Sequence, residues 1–231
     1  MSKLLHANFA RMFGSVEFMA CTLFSLGFGL LNFIFSCILN VSSYHTTFER
    51  DLFNMSKAVI VIAAVFVSLF FGTENSVVRN RLMVGHSRGA VYAANWLTAF
   101  CGVFVINALS MLPYTLAAPF FDVKVGDITV DELMLNVLIE ILAVAAAGGI
   151  YFLITVIITR RSVCAVGALV TAIILLYLPE MGGNWRYSPG GQLNILLNRE
   201  YTTAVMPLCS LGLLAVSTAV GAVVFGRKDL K

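Results

Sequence analysis

The residue types that most often carry out catalysis are sparse and scattered in this chain. The three histidines, His6, His45 and His86, lie outside the long apolar stretches and form no cluster. The five cysteines contain no Cys-x-x-Cys pair, so their spacing favours neither a metal site nor a disulfide framework. An intramembrane enzyme needs His, Ser or carboxylate side chains facing one another inside the bundle. We therefore expect no enzyme activity from this chain.

Glu140 is the one acidic residue well inside an apolar stretch. An ionised carboxylate in hydrocarbon costs roughly 3 kcal/mol on insertion scales, so Glu140 should be neutral, paired or hydrated. Asn136 lies one helical turn earlier on the same face. We expect the two side chains to share a polar patch that opens outward into a cavity. The alternative is that Glu140 bonds a neighbouring helix.

These side chains lie in a chain dominated by apolar stretches. The 231 residues are 59% hydrophobic and 12% charged, with a mean hydropathy of +0.90. Helices of roughly 20 apolar residues cross a bilayer, and open sheets do not. The six stretches are Val16–Leu39, Ala58–Phe71 (with a start near Phe53), Tyr92–Pro113, Leu133–Thr159, Val163–Leu178 and Ala204–Phe225. The sequence therefore predicts an all-α membrane protein, with one transmembrane domain of six helices over residues 1–231.

The basic residues predict the orientation of this bundle. Six spans place both termini on one side, and that side carries ten Lys and Arg residues against five on the other. The ten are Lys3, Arg11, Arg79, Arg81, Arg88, Arg160, Arg161, Arg227, Lys228 and Lys231. Because cytoplasmic loops are enriched in Lys and Arg, both termini are expected in the cytoplasm.

The segment before the first span has the pattern of an amphipathic helix over residues 2–13. Leu5, Phe9, Met12 and Phe13 form one apolar stripe at helical spacing. Such a helix is expected to lie in the cytoplasmic membrane interface. The alternative is a frayed, solvated terminus.

Small residues and one outer loop carry weaker signals. The pairs Ala143/Ala147, Ala145/Gly149 and Ser217/Gly221 are four apart, a spacing that lets helices approach closely, within the chain or with a second copy. The outer loop 179–203 is rich in Gly and Pro, with a short mostly apolar run at its centre. A re-entrant or interfacial helix over Gln192–Leu197 is one interpretation of that run.

The cytoplasmic stretch between the second and third spans is the most distinctive. Val78 and Leu82 predict a short helix that lies across the cytoplasmic face. Gly85 can end this helix in the left-handed conformation, and Ser87 can cap the third span. On these residues alone, a positively charged loop that only fixes topology is favoured at least as strongly.

The run Arg79-Asn80, then Gly85-His86-Ser87-Arg88, then Tyr92 resembles the intracellular loop of permease subunits of type-2 ABC exporters. The ending Phe225-Gly226-Arg227-Lys228-Asp229-Leu230-Lys231 resembles that family's aromatic and basic-acidic ending. The amphipathic start, the six spans and the cytoplasmic termini match its layout. The resemblance therefore covers the whole chain.

The resemblance implies a transport subunit in a bacterial cytoplasmic membrane. It would belong to an exporter of the type that serves peptide or drug export or immunity in bacteria. Segment 73–91 would dock on a separate ATPase subunit, with coupling residues Glu74, Arg79, Asn80, Arg81, Gly85, Ser87 and Arg88. A path between two copies, or between this chain and a related permease, would carry amphipathic peptides or lipophilic drugs. Phe24, Phe28, Asn136 and Glu140 are the candidates along that path.

The chain contains no Gly-x-x-x-x-Gly-Lys-Ser/Thr phosphate loop, so we expect no cofactor bound by it. ATP and Mg would be bound by the partner subunit. Besides the ATPase, a second copy of the chain or a related permease, and the lipid bilayer, no partner is indicated, and nothing predicts nucleic-acid binding. The alternative function is a stand-alone ion-coupled carrier that uses Glu140, with an intramembrane enzyme ranked below it.

Overall fold

A computed structural model describes residues 2–41, 48–72, 75–117, 130–158, 160–177, 179, 183–198, 202–203 and 205–227. In these ranges the chain is helical and has no β-strand. The α-helices are α1 (Ser2–Phe13), α2 (Val16–Val41), α3 (Phe48–Phe71), α4 (Asn75–Met83), α5 (Arg88–Ala117), α6 (Val130–Ile157), α7 (Arg161–Tyr177), α8 (Pro189–Leu197) and α9 (Val205–Arg227). The prediction of an all-α protein is confirmed.

Five helices, α2, α3, α5, α6 and α9, are long and apolar enough to cross a membrane in the described part of the chain. This is the pattern of a multi-pass membrane protein. The sixth predicted span corresponds to α7, an apolar helix of 17 residues, which is shorter than the other five. The count of six spans therefore stays a prediction.

Contacts between helix ends show how the bundle is arranged. The carboxylate of Glu17 at the start of α2 pairs with the guanidinium of Arg161 at the start of α7. Arg88 at the start of α5 donates to the Gly226 carbonyl near the end of α9, at 2.8 Å. We call this end of the bundle, where α2, α5 and α7 begin and α9 ends, the basic end.

Serine side chains fix where three of the helices begin. The Ser15 hydroxyl accepts a hydrogen bond from the Phe18 amide at the start of α2 (3.2 Å), and Ser87 accepts from the Ala90 amide at the start of α5 (3.3 Å). Ser188 does the same for α8, with Pro189 at its first position. Each hydroxyl satisfies an amide that would otherwise lack an intrahelical partner.

The small residues of α6 and α9 pack against each other within the chain. A methyl group at Gly149 would meet the Ser217 hydroxyl and the Leu214 side chain of α9. Ala143 and Ala147 are fully buried. Of the two alternatives for these pairs, the structure shows packing inside one bundle.

The helix α1 forms over the predicted residues, and its buried face overlaps the predicted stripe only in part. Leu4, Asn8 and Met12 are buried against the bundle, whereas Phe9 is partly buried and Phe13 is exposed. The buried face includes a polar residue, Asn8, which has a hydrogen-bond partner inside the bundle. That α1 lies in the membrane interface stays a prediction.

The short helix α8 lies inside the bundle between α3, α6 and α7. It begins at Pro189, three residues before the predicted start at Gln192. Seven of its nine residues are buried. Gly190 permits this position, because a side chain there would clash with the Leu175 carbonyl of α7.

Candidate functional site

The segment between α3 and α5 has the local structure that its sequence predicts. α4 ends at Met83, and Gly85 follows with φ of 94°, the left-handed region that favours glycine. The Gly85 and His86 amides donate to the Leu82 and Arg81 carbonyls at 3.0 and 3.3 Å. These bonds close the end of α4 before Ser87 caps α5.

Asn95 of α5 ties three elements together at the basic end. Its side-chain oxygen accepts from the Asn8 amide group of α1 at 2.9 Å and from the Arg81 guanidinium of α4 at 3.0 Å. Asn8 and Asn95 are buried, and Val78 also anchors α4 in the apolar core. α4 is therefore held by the bundle rather than lying loosely on it.

Two cations lie close together around this contact. The Arg11 guanidinium of α1 lies over the Phe70 ring, 4.4 Å from its centroid. Burial, and then the charge of Arg81, lower the pKa of Arg11 to about 10, while Glu17 acts in the opposite direction. Burial also lowers the pKa of Arg81. A value near 10 leaves Arg11 charged at neutral pH, so Asn95 accepts from a region of positive charge.

The predicted coupling residues divide between anchoring and exposure. Arg81 is half-buried on Asn95, whereas Asn80, Gly85, Ser87 and Arg88 are exposed. Glu74 lies outside the described residues, and Arg79 is described only through its backbone in α4.

Two exposed apolar side chains, at the end of α4 and just after it, were not among the predicted coupling residues. Met83 and Val84 are among the most exposed apolar residues of the described chain. They lie beside Asn80 and Gly85 at the basic end. Their exposure gives the end of α4 a mixed apolar and polar outer face.

The second candidate site surrounds Glu140, whose side chain is completely buried. Its Oε1 accepts from the Ser56 hydroxyl of α3 at 2.8 Å and from the Asn107 amide group of α5 at 2.9 Å. The structure therefore shows the alternative in which Glu140 bonds neighbouring helices. Whether it also lines a transport path stays a prediction.

The other path candidates differ in their exposure. Phe24 is exposed on α2, and its ring stacks on that of Phe28 with centroids 6.4 Å apart. Phe28 is half-buried against Met55 and Tyr114. Asn136 is half-buried, one turn before Glu140.

The two candidate sites occupy different levels of the bundle. Asn95 and Asn107 are twelve residues apart on α5, which corresponds to about 18 Å along a helix. The structure thus does not bring the coupling residues and the path candidates together. Sequence reasoning missed Ser56, Asn107, Asn8 and Asn95. The available signal was a polar side chain within or beside an apolar stretch.

Comparison with known proteins adds no identification. The chain matches no protein-family model, and no curated protein matches it. In the described part of the chain, no three His, Cys, Asp or Glu side chains lie close enough to hold a metal ion.

Proposed function

We propose that this chain is the membrane-spanning subunit of an ATP-driven exporter of the type-2 ABC class. The observation that carries the proposal is α4, a short helix between two apolar helices at the basic end. One face of α4 is fixed to α1 and α5 through Arg81 and Asn95, while Asn80, Met83 and Val84 face outward. A movement of α4 would therefore be transmitted to α1 and α5.

In this proposal a separate ATPase subunit docks on the exposed face of α4. The chain has no phosphate-binding loop of the P-loop kind, so ATP and Mg would be bound and used by the partner. The coupling segment is 73–91, with Arg81 as its internal anchor.

The proposal includes six spans with both termini in the cytoplasm of a bacterial cell. The contacts support α7 as the remaining span, because Arg161 pairs with Glu17 at the basic end. At its other end α7 contacts Gly190 of α8. Seventeen residues extend for about 26 Å, close to the roughly 30 Å of a hydrocarbon core.

The cargo is proposed to be an amphipathic peptide, such as an antimicrobial or toxin peptide, or a lipophilic drug. The path would lie between two copies or beside a related permease, since a single bundle of six helices is too small to enclose a wide path for a peptide. The exposed face of α2, with Leu23, Phe24 and Leu31, offers apolar surface for a second copy, for lipid or for cargo.

A stand-alone ion-coupled carrier is the second candidate, and the buried Glu140 favours it. Intramembrane carboxylates often mark proton or ion pathways. Transport that continues without ATP and stops when the proton gradient is collapsed would favour the carrier over the exporter.

Purification from the chain's native membrane in mild detergent tests the exporter. We expect an ATP-hydrolysing subunit to accompany the chain, and the mass of the particle to include two permease chains. Replacing the exposed residues in a Met83→Glu/Val84→Glu double variant should weaken docking of the ATPase about tenfold, equivalent to about 1.4 kcal/mol, and so lower the ATPase activity that co-purifies with the chain.

The matched control is Lys3→Glu, which adds a carboxylate on the exposed face of α1. The Lys3→Glu variant should still co-purify with the ATP-hydrolysing subunit and keep its ATPase activity. A chain that purifies with no ATP-hydrolysing subunit, as a single copy that transports fully, would contradict the proposal.

A further inference from the structure

The hydrogen bonds around Glu140 leave two oxygen atoms unsatisfied. Both described donors, Ser56 and Asn107, bond the same carboxylate oxygen, Oε1. The other oxygen of Glu140, Oε2, and the side-chain oxygen of Asn107, Oδ1, are buried and have no hydrogen-bond partner. Glu140 and Asn107 are both at least nine-tenths buried.

Both unsatisfied atoms are acceptors when Glu140 is ionised. Two acceptors cannot satisfy each other, and each buried unsatisfied group costs stability. The cluster therefore lacks a donor.

A single proton removes the deficit on both atoms. A neutral glutamic acid presents one O–H donor, and a carboxamide presents one N–H donor and one carbonyl acceptor on the same side. The bond from Asn107 Nδ2 to Glu140 Oε1 is one half of a cyclic acid–amide pair. The other half is a bond from a protonated Oε2 to Asn107 Oδ1.

We propose that Glu140, Asn107 and Ser56 form a proton-binding site, in which the neutral Glu140 closes a cyclic acid–amide pair with Asn107. The pair joins α6 to α5, and the Ser56 hydroxyl joins α3 to the same carboxyl group. When the proton leaves, Oε2 and Asn107 Oδ1 face each other as two acceptors, and α6 is no longer held to α5 by the second bond.

The surroundings favour a proton over an ionised carboxylate. In the described part of the chain no basic side chain bonds Glu140. Counted along the packed helices, the ionisable groups that flank the site are Lys57 of α3, Cys101 and Tyr114 of α5, and Glu132 and Tyr151 of α6, with Cys209 of α9 at a similar level. α8 carries no ionisable side chain. α7 carries Arg161 at its start, Tyr177 at its end and the thiol of Cys164 in its first turn.

The acid–amide pair does not depend on the transport role proposed above. The same proton site would serve an ATP-driven permease or a carrier. Its failure would therefore leave the docking of an ATPase on α4 untouched.

Infrared spectroscopy of the purified protein at neutral pH tests the proposal directly. We expect the carbonyl stretch of a protonated carboxylic acid in the wild type and its loss in Glu140→Gln. Absence of that band from the wild type would overturn the proposal.

Thermal unfolding gives an independent test with matched variants. In Glu140→Gln an N–H replaces the proton-bearing O–H, so the cyclic pair should persist and the unfolding temperature should change little. Asn107→Leu and Glu140→Leu remove the pair. Each should lower the unfolding temperature by at least about 2–4 °C, the shift expected for a modest loss in a chain of this size.

The pH dependence of the same measurement distinguishes a proton from another occupant. From mildly acidic to mildly alkaline pH, the unfolding temperature of the wild type should fall more than that of Glu140→Gln. If sodium chloride, compared with choline chloride, raises the unfolding temperature of the wild type but not of Glu140→Gln, a metal cation occupies the site and the proposal is wrong. Equal pH profiles for the two proteins would also overturn it.

Discussion

At the residue scale, one side-chain oxygen joins three helices, α1, α4 and α5, at the basic end. Asn95 Oδ1 of α5 accepts hydrogen bonds from Asn8 of α1 and from Arg81 of α4. Both donors lie in a region that also holds the Arg11 charge. Removing the acceptor would leave a buried amide and a half-buried guanidinium without this partner.

Asn95 therefore supports a matched pair of substitutions. Asn95→Leu should lower the free energy of unfolding by about 1–3 kcal/mol, because it leaves the Asn8 donor buried and unpaired. Asn95→Asp keeps the acceptor and places a negative charge beside the Arg81 guanidinium, so it should be at least as stable as the wild type. Chemical or thermal unfolding in detergent measures both.

The control for these variants is Asn80→Ala, on the exposed side of α4, which should change stability by less than about 0.5 kcal/mol. An Asn95→Leu variant as stable as this control would show that the contact does not hold the helices.

Single residues also show where sequence reasoning succeeds. The roles of Gly85 and Ser87 were predictable because turn and cap preferences are local. The burial of Asn8 was not, because its partner Asn95 lies 87 positions away and no local pattern shows that a polar side chain will be satisfied. The roles of Ser56 and Asn107 were not predictable for the same reason, because their partner Glu140 is distant in the sequence.

At the element scale, the position of α8 is determined by long-range packing. Gly and Pro residues predicted an interruption, and the short apolar run predicted a helix. The insertion between α3, α6 and α7 follows from the close approach of Gly190 to the backbone of α7. A backbone carbonyl cannot move aside as a flexible side chain does.

Gly190→Ala should therefore displace α8 from α7 and lower the free energy of unfolding by about 1–3 kcal/mol, the range for overpacking. Gly212→Ala in α9 is the control, since a methyl group there meets nothing within 4 Å. It should keep or slightly raise stability, because alanine favours helix over glycine. Thermal unfolding of the two variants in the same detergent makes the comparison, and equal stabilities would contradict this account of α8.

At the scale of the whole molecule, composition was sufficient to predict an all-helical membrane protein. Five of the predicted spans meet the length and hydropathy expected of a membrane helix, whereas α7 is shorter. The proposal that α7 is a sixth span depends on its contacts at both ends, and not on its length. The direction of the bundle in the membrane depends on the distribution of Lys and Arg, which a fold alone does not encode.

The central claim is that an ATPase subunit docks on the exposed face of α4. Site-specific photocrosslinking in the native membrane tests it most directly, with the photoreactive residue in place of Asn80 and, as control, in place of Leu23 on the exposed face of α2. The account predicts an adduct at position 80 with a protein that carries an ATP phosphate-binding loop, and no such adduct at position 23. An adduct at position 80 only with lipid, or only with proteins that lack that loop, would contradict it.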